Sequence, residues 1–228
     1  MQLFCFTFAG GTAAFYDQLD PYFDNTIDII KLEYAGHGIR YREGFYEDFT
    51  ELAEDMYRCI KELIHMNTPY ALIGYSMGSI SLVEVLKLII TRKELPLPEH
   101  VFLAAYSPKT KRELVGCQTE DSDGFVKKLM ISFGGIPEKL IENNSFWRMY
   151  LPFYRNDYSI VRKYKFEDLF LNTMVPATVF YSETDTSLDD MKKWGRYFIG
   201  NTQYVCYEGK HFLFRSIVKI YVVEFSDN

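Results

Sequence analysis

The sequence predicts an α/β domain, a mostly parallel central sheet flanked by helices, with a helical lid inserted late in the chain. Three observations lead there. Short apolar runs alternate with segments of helical spacing, and that alternation builds parallel sheets with helices on both faces. The chain has 228 residues, 48% of them apolar, which suits one such domain with a large core. From Ser107 to about Lys165 the alternation stops, leaving helix-like segments punctuated by Gly134-Gly135, Pro137 and Pro152. We read 1–228 as a single domain and 107–165 as a lid over its active end, with mobility expected from those glycines and prolines.

Leu3 to Phe8 has the aromatic content of a strand and runs into Ala9-Gly10-Gly11-Thr12. A helix is expected over Ala13–Phe23 and a second strand over Ile27–Leu32. Glu33 to Gly44 holds three glycines and no helical period, so it is a loop. Phe49 to Met66 repeats apolar residues at Phe49, Leu52, Met56, Cys59, Ile60, Leu63 and Ile64, the stripe of an amphipathic helix. A strand from Tyr70, a helix carrying Leu82, Val85, Leu86 and Ile89, and a strand over His100–Ala105 follow. Beyond the insertion come a strand at Ala177–Tyr181, a helix at Asp189–Phe198, a strand at Gln203–Tyr207 and a helix at Phe212–Phe225.

The run Tyr70-Ala71-Leu72-Ile73-Gly74-Tyr75-Ser76-Met77-Gly78-Ser79 carries the chemistry. It reads as a buried strand, Gly-x-Ser-x-Gly, then a helix from about Ser79. The glycines remove Cβ atoms that would collide at a sharp strand-to-helix turn. That turn lifts Ser76 Oγ above the sheet and leaves the Met77 N–H at a helix N-terminus, where an oxyanion is held. A serine hydroxyl needs a base, and the base an orienting acid. His65 and His100 lie far from the carboxyl ends of the strands, and His37 precedes the serine. His211 follows the last strand and is the base in the order nucleophile, acid, histidine of the α/β-hydrolase fold. Asp185 leaves the Ala177 strand directly and is the chosen acid. Glu183 competes with it, as do Asp189 and Asp190, whose position suits a helix N-terminus. The second oxyanion donor is expected at the Ala9 N–H.

Net charge is −6, which argues against general nucleic-acid binding. Cys5, Cys59, Cys117 and Cys206 are scattered without metal-ligand or disulfide spacing, and Cys5 and Cys206 are expected in the core. No apolar stretch approaches the ~20 residues of a membrane span. The expectation is a cytoplasmic monomer with no metal, cofactor, membrane or nucleic-acid partner.

With these residues assembled, the chain resembles the type II (editing) thioesterases of non-ribosomal peptide and polyketide synthases, nearly end to end. Phe6-Thr7-Phe8-Ala9-Gly10-Gly11 resembles that family's Pro-x-Ala-Gly-Gly opening, and Tyr34-Ala35-Gly36-His37-Gly38-Ile39-Arg40 its Pro-Gly-(Arg/His)-Gly-x-Arg loop. Gly74 to Gly78 resembles its Gly-His-Ser-Met-Gly elbow, and Gly134-Gly135-Ile136-Pro137 and Leu151-Pro152-Phe153-Tyr154-Arg155-Asn156-Asp157 its lid segments. Asp185, Trp194 and the Gly209-x-His211-Phe212 corner sit where that pattern has an acid, a helix tryptophan and the base. Thr7 and Ala35 replace prolines and Tyr75 replaces the elbow histidine, so Tyr75 is expected to affect entry of the acyl or pantetheine arm. Arg155 and Asp157 are expected to pair within the lid, and His37 to shape its loop.

The resemblance implies hydrolysis of mis-primed or stalled acyl groups from the phosphopantetheine arm of acyl- or peptidyl-carrier domains in secondary metabolite biosynthesis. No cofactor is implied. Phe125, Leu129, Met130, Phe133, Phe146, Trp147, Met149 and Tyr150 fit equally the walls of an acyl site and the lid's own core. Lys109, Lys111, Arg112, Lys127, Lys128, Arg162, Lys163 and Lys165 gather near the lid, as a carrier-docking surface or a solvated face. A small-molecule carboxylesterase or lipase, a product-releasing acyl-carrier thioesterase and a non-enzymatic carrier-binding protein are the alternatives.

Overall fold

The computed structural model describes residues 1–23, 26–108, 122–134, 136–209 and 211–212. The expected helix at 212–225, Cys117, and Lys109, Lys111 and Arg112 lie outside the described residues, except Phe212. Among the described residues six strands form one sheet: β1 (Gln2–Phe6), β2 (Asp28–Lys31), β3 (Tyr70–Tyr75), β4 (His100–Ala104), β5 (Ala177–Tyr181) and β6 (Thr202–Cys206). Their order is β2-β1-β3-β4-β5-β6, and every neighbouring pair is parallel. The chain runs outward from β1 to β2, then returns to place β3 on the other side of β1. The order reverses at that point, and a crevice opens beyond the carboxyl ends of β1 and β3.

Alternation along each strand sends side chains to two cores. Phe4, Phe6, Leu72, Leu103 and Val179 face the helices α1 (Phe49–Leu63) and α2 (Met77–Arg92). Leu3, Cys5, Ala71, Ile73 and Phe180 face Tyr16 and Leu19 on the opposite side. Both faces are covered, so the strands read as continuous apolar runs. The side chain of Asp48 caps α1 by accepting from the Thr50 and Glu51 amides.

Three elements differ from expectation. Ala13–Tyr22 is 3-10 rather than α-helical: Thr12 offers no capping bond, and Pro21 lacks an N–H for the last turn. The expected helix at 189–198 is one α turn, Leu188–Met191, followed by 3-10 residues Lys192–Arg196 around Gly195. Cys206 is exposed on β6, the outermost strand among the described residues, whereas Cys5 is buried.

Between β4 and β5 stand α3 (Asp123–Phe133), α4 (Glu138–Ile141) and α5 (Asn144–Lys163). Pro152 does not break α5. α3 and α5 share a small core of Val126, Trp147, Leu151 and Tyr154. Among the described residues no helix is long and apolar enough to cross a membrane, and no cluster of three potential metal ligands occurs.

Candidate active site

β3 ends at Tyr75, and α2 begins at Met77 rather than near Ser79, so Ser76 alone makes the turn. Its backbone lies at φ 53°, ψ −116°, a left-handed conformation costing about 1–3 kcal/mol for a residue with a Cβ. The surroundings hold it there. Ser76 N–H donates to the Ala104 carbonyl at 2.7 Å, and Ser79 Oγ donates to the Gly74 carbonyl at 2.9 Å. A Cβ on Gly74 would lie 2.3 Å from Gly78 O, and one on Gly78 only 2.1 Å from Phe6 O. Both glycines are therefore dictated by close backbone approach, Gly78 against the end of β1.

His211 and Asp185 meet this serine from the loops after β6 and β5. His211 Nε2 lies 3.1 Å from Ser76 Oγ, and His211 Nδ1 lies 3.0 and 3.1 Å from the two Asp185 carboxylate oxygens. A carboxylate only accepts, so Nδ1 carries the hydrogen and Nε2 presents a lone pair to the hydroxyl. Both side chains are largely shielded, 11% and 14% exposed. The His211 loop is pinned at two carbonyls. Gly209 O accepts from the Ser182 and Thr184 hydroxyls, and His211 O accepts from Tyr75 OH. Tyr75 is thus buried beneath His211, its ring stacked on Phe212 at 6.3 Å, and it lines neither cavity at the serine. Its expected effect on substrate entry gives way to anchoring of the His211 backbone.

The rival groups are engaged elsewhere. Glu183 accepts from Leu188 N–H, Asp190 pairs with Lys193, and Asp189 points to solvent beside Lys192. His65 is exposed, and His100 lies at the amino end of β4 against Thr178. Ser187 caps the short helix that carries Asp189 and Asp190.

Two cavities meet at Ser76 and His211. The larger, about 720 Å³, is walled mainly by Phe8, Phe15, Met130, Phe133, Phe146 and Tyr150. The smaller, about 250 Å³, carries Met77, Ser107, Tyr158, Arg162 and Thr186. Ala9 lines both, and among the described residues neither the Ala9 nor the Met77 N–H has a protein acceptor. Of the insertion's apolar residues, Met130, Phe133, Phe146 and Tyr150 face the larger cavity, whereas Trp147 is core and Met149 is exposed.

Asp157 departs most from expectation. Arg155 pairs with Asp123 across α5 and α3, while Asp157 turns inward and is 1% exposed. Its Oδ2 accepts from Gly10 N–H at 2.7 Å and from His37 Nε2 at 3.0 Å. The sequence carries a signal for this: Leu151, Tyr154, Asp157 and Ile160 fall on one buried stripe of α5, where a carboxylate needs a partner. Of the basic residues near the lid, Lys127 lies over the Trp147 ring and Arg162 over Tyr158.

Known proteins share this chain's sequence pattern and fold. The family model for the thioesterase domain matches residues 1–221. The medium-chain S-acyl fatty acid synthase thioesterase of Rattus norvegicus is 27% identical over 92% of this chain and 80% of its own length. The gramicidin S biosynthesis protein GrsT of Aneurinibacillus migulanus is 25% identical over 93% of this chain and 82% of its own. The crystal structure of ClbQ, from the colibactin NRPS/PKS pathway, superimposes with a TM-score of 0.86 at 21% identity, covering 99% of this chain and 97% of that one. By its sequence over residues 1–221 and by its parallel sheet, the chain belongs to the thioesterase domain family, on an α/β-hydrolase fold.

Proposed function

We propose that this protein is a type II thioesterase that hydrolyses acyl thioesters from the phosphopantetheine arm of carrier domains, clearing mis-primed or stalled groups. The observation that carries the reading is the hydrogen-bonded line Ser76–His211–Asp185 opening onto an apolar cavity beneath helices α3 to α5. Ser76 Oγ attacks the thioester carbonyl while His211 Nε2 takes its proton. Asp185 holds the Nδ1–H tautomer and stabilises the imidazolium that forms. The oxyanion is received by the Ala9 and Met77 amides, each such donor contributing ~2.7–4 kcal/mol to the transition state. Collapse expels the pantetheine thiolate, protonated by His211, and leaves an acyl-serine. Water attacks that ester with His211 again as base, and Ser76 returns with the carboxylic acid released. No step calls on a metal or cofactor.

The α3–α5 helices act in this reading as a lid whose inner residues wall the acyl site. A second reading, a product-releasing thioesterase, is favoured by the size of the apolar cavity and by the medium-chain name of the rat relative. Hydrolysis of acetyl and longer acyl groups, each on a carrier protein and on an oxygen ester, tests both. Release from the carrier of short and long groups alike, abolished in Ser76→Ala, supports the editing enzyme. Strong preference for long chains supports product release. Preference for the oxygen ester sinks both and leaves a carboxylesterase.

A further inference from the structure

The catalytic reading leaves one buried charged cluster unused. His37 Nδ1 faces the Ala35 carbonyl at 2.9 Å, and His37 Nε2 faces Asp157 Oδ2 at 3.0 Å. Both partners are acceptors, so both ring nitrogens carry hydrogens and the imidazole is a cation. An Asp157 oxygen that accepts from His37 and from Gly10 N–H together is a carboxylate. His37 and Asp157 are 2% and 1% exposed, so this ion pair is shut away from water. It joins three segments distant in sequence: the loop after β2, helix α5 of the insertion, and the loop after β1. The amide it grips, Gly10, directly follows Ala9.

We propose that His37 and Asp157 are positioning residues for the oxyanion site, holding the Ala9–Gly10 loop against α5 only while His37 is charged. The surrounding packing makes the loop dependent on this pair. Gly10 sits at φ +73° directly on Tyr154 of α5, and Phe153 of α5 and Phe45 wall the His37 ring at 5.5 and 5.9 Å. The charged and titratable groups facing His37 are Asp157 on α5 and Glu33 and Tyr34 on its own loop. Arg40 is committed to Glu43 and Asp55, and Glu33 to the Ala13 amide. Asp157 is thus the direct counter-ion. Burial pulls the His37 pKa down, but the hydrogen bond and charge of Asp157 outweigh it and hold the group above its ordinary value. When His37 loses its proton, Asp157 is left a buried carboxylate without a counter-ion, and the neutral ring can donate to only one of Asp157 and the Ala35 carbonyl, so the contacts that hold the loop must rearrange.

This inference rests on the thioesterase reading, and the experiment separates the two. kcat and KM for an acyl thioester of a small thiol are measured from pH 6 to 10 for wild type, Asp157→Ala, Asp157→Asn and His37→Arg, each corrected for Ser76→Ala. Wild-type kcat should fall on the alkaline side. Asp157→Ala should lose about 10²-fold in kcat with little change in KM, the scale of a 1 Å misplacement. His37→Arg, a permanent cation, should keep kcat at neutral pH and abolish the alkaline fall. In Asp157→Asn the fall should move to lower pH. An alkaline profile identical in wild type, His37→Arg and Asp157→Asn overturns the proposal, as does an Asp157→Ala loss confined to KM. If circular dichroism shows His37→Arg unfolded, the direction of the Asp157→Asn shift decides. Turnover undiminished in Ser76→Ala instead defeats the underlying thioesterase reading.

Discussion

A single methyl group placed where no ligand reaches should disable the site. In Gly78→Ala the new Cβ would begin 2.1 Å from Phe6 O, and real Cβ contacts require at least 3.0 Å. Both sides of that contact are backbone, so neither can rotate away. The start of α2 and the end of β1 must separate by about 1 Å, at an overpacking cost of roughly 1–3 kcal/mol. Phe6 O also accepts from the buried Tyr16 hydroxyl at 2.7 Å, which ties the β1 end in place and directs the movement into the elbow. The two parts driven apart carry the two amides proposed to receive the oxyanion, Met77 on one side and Ala9 three residues beyond Phe6 on the other. A displacement of that size should lower kcat about 10²-fold while leaving KM for a small acyl thioester nearly unchanged. Steady-state kinetics and thermal unfolding of Gly78→Ala, with Gly44→Ala as control, test this. Nothing lies within 4 Å of a Cβ at Gly44, so the control should match wild type. A Gly78→Ala enzyme with lowered Tm but wild-type kcat would refute the coupling between the β1–α2 contact and the oxyanion site.

Other expectations follow from the same geometry. Tyr75→Phe removes the donor to the His211 carbonyl. It should cost about 0.5–1.5 kcal/mol and slow acylation of Ser76 by a fluorophosphonate several-fold, with no change in apparent affinity. The folded-state pKa of His37 is raised, so the ion pair stabilises the fold fully below the ordinary value of 6.5. That stabilisation is lost as pH rises through the raised pKa. Urea unfolding of wild type should show this alkaline loss and Asp157→Asn should not; equal slopes would show that His37 draws nothing from Asp157.

The elements that were legible in the sequence are those governed by near neighbours. The elbow is a local object: strand, Gly-x-Ser-x-Gly and helix lie within one run, and the strain at Ser76 and the crowding at Gly78 follow from it. Asp185 and His211 were legible through topology, because each follows a strand whose carboxyl end must face the same crevice. What escaped were contacts between distant segments. Tyr75 reaches a carbonyl 136 residues away, and Asp157 reaches His37 and Gly10 across 120 and 147 residues. Motif spacing placed Arg155 beside Asp157, but helical geometry sends residues two apart to different faces, so they part. Propensity misjudged Ala13–Tyr22, where a late proline and an uncapped start favour 3-10 turns.

The order of the strands also sets when the site comes into being. Ser76 is fixed once β1, β3 and β4 have paired, yet His211 reaches it only after β6 docks on β5. Contacts of this length close late, and parallel pairing slows them further. A partly folded chain therefore carries a formed elbow without His211 beside it. Recovery of turnover during refolding should lag behind recovery of helical signal, so that enzyme activity becomes a clock for the last strand to join.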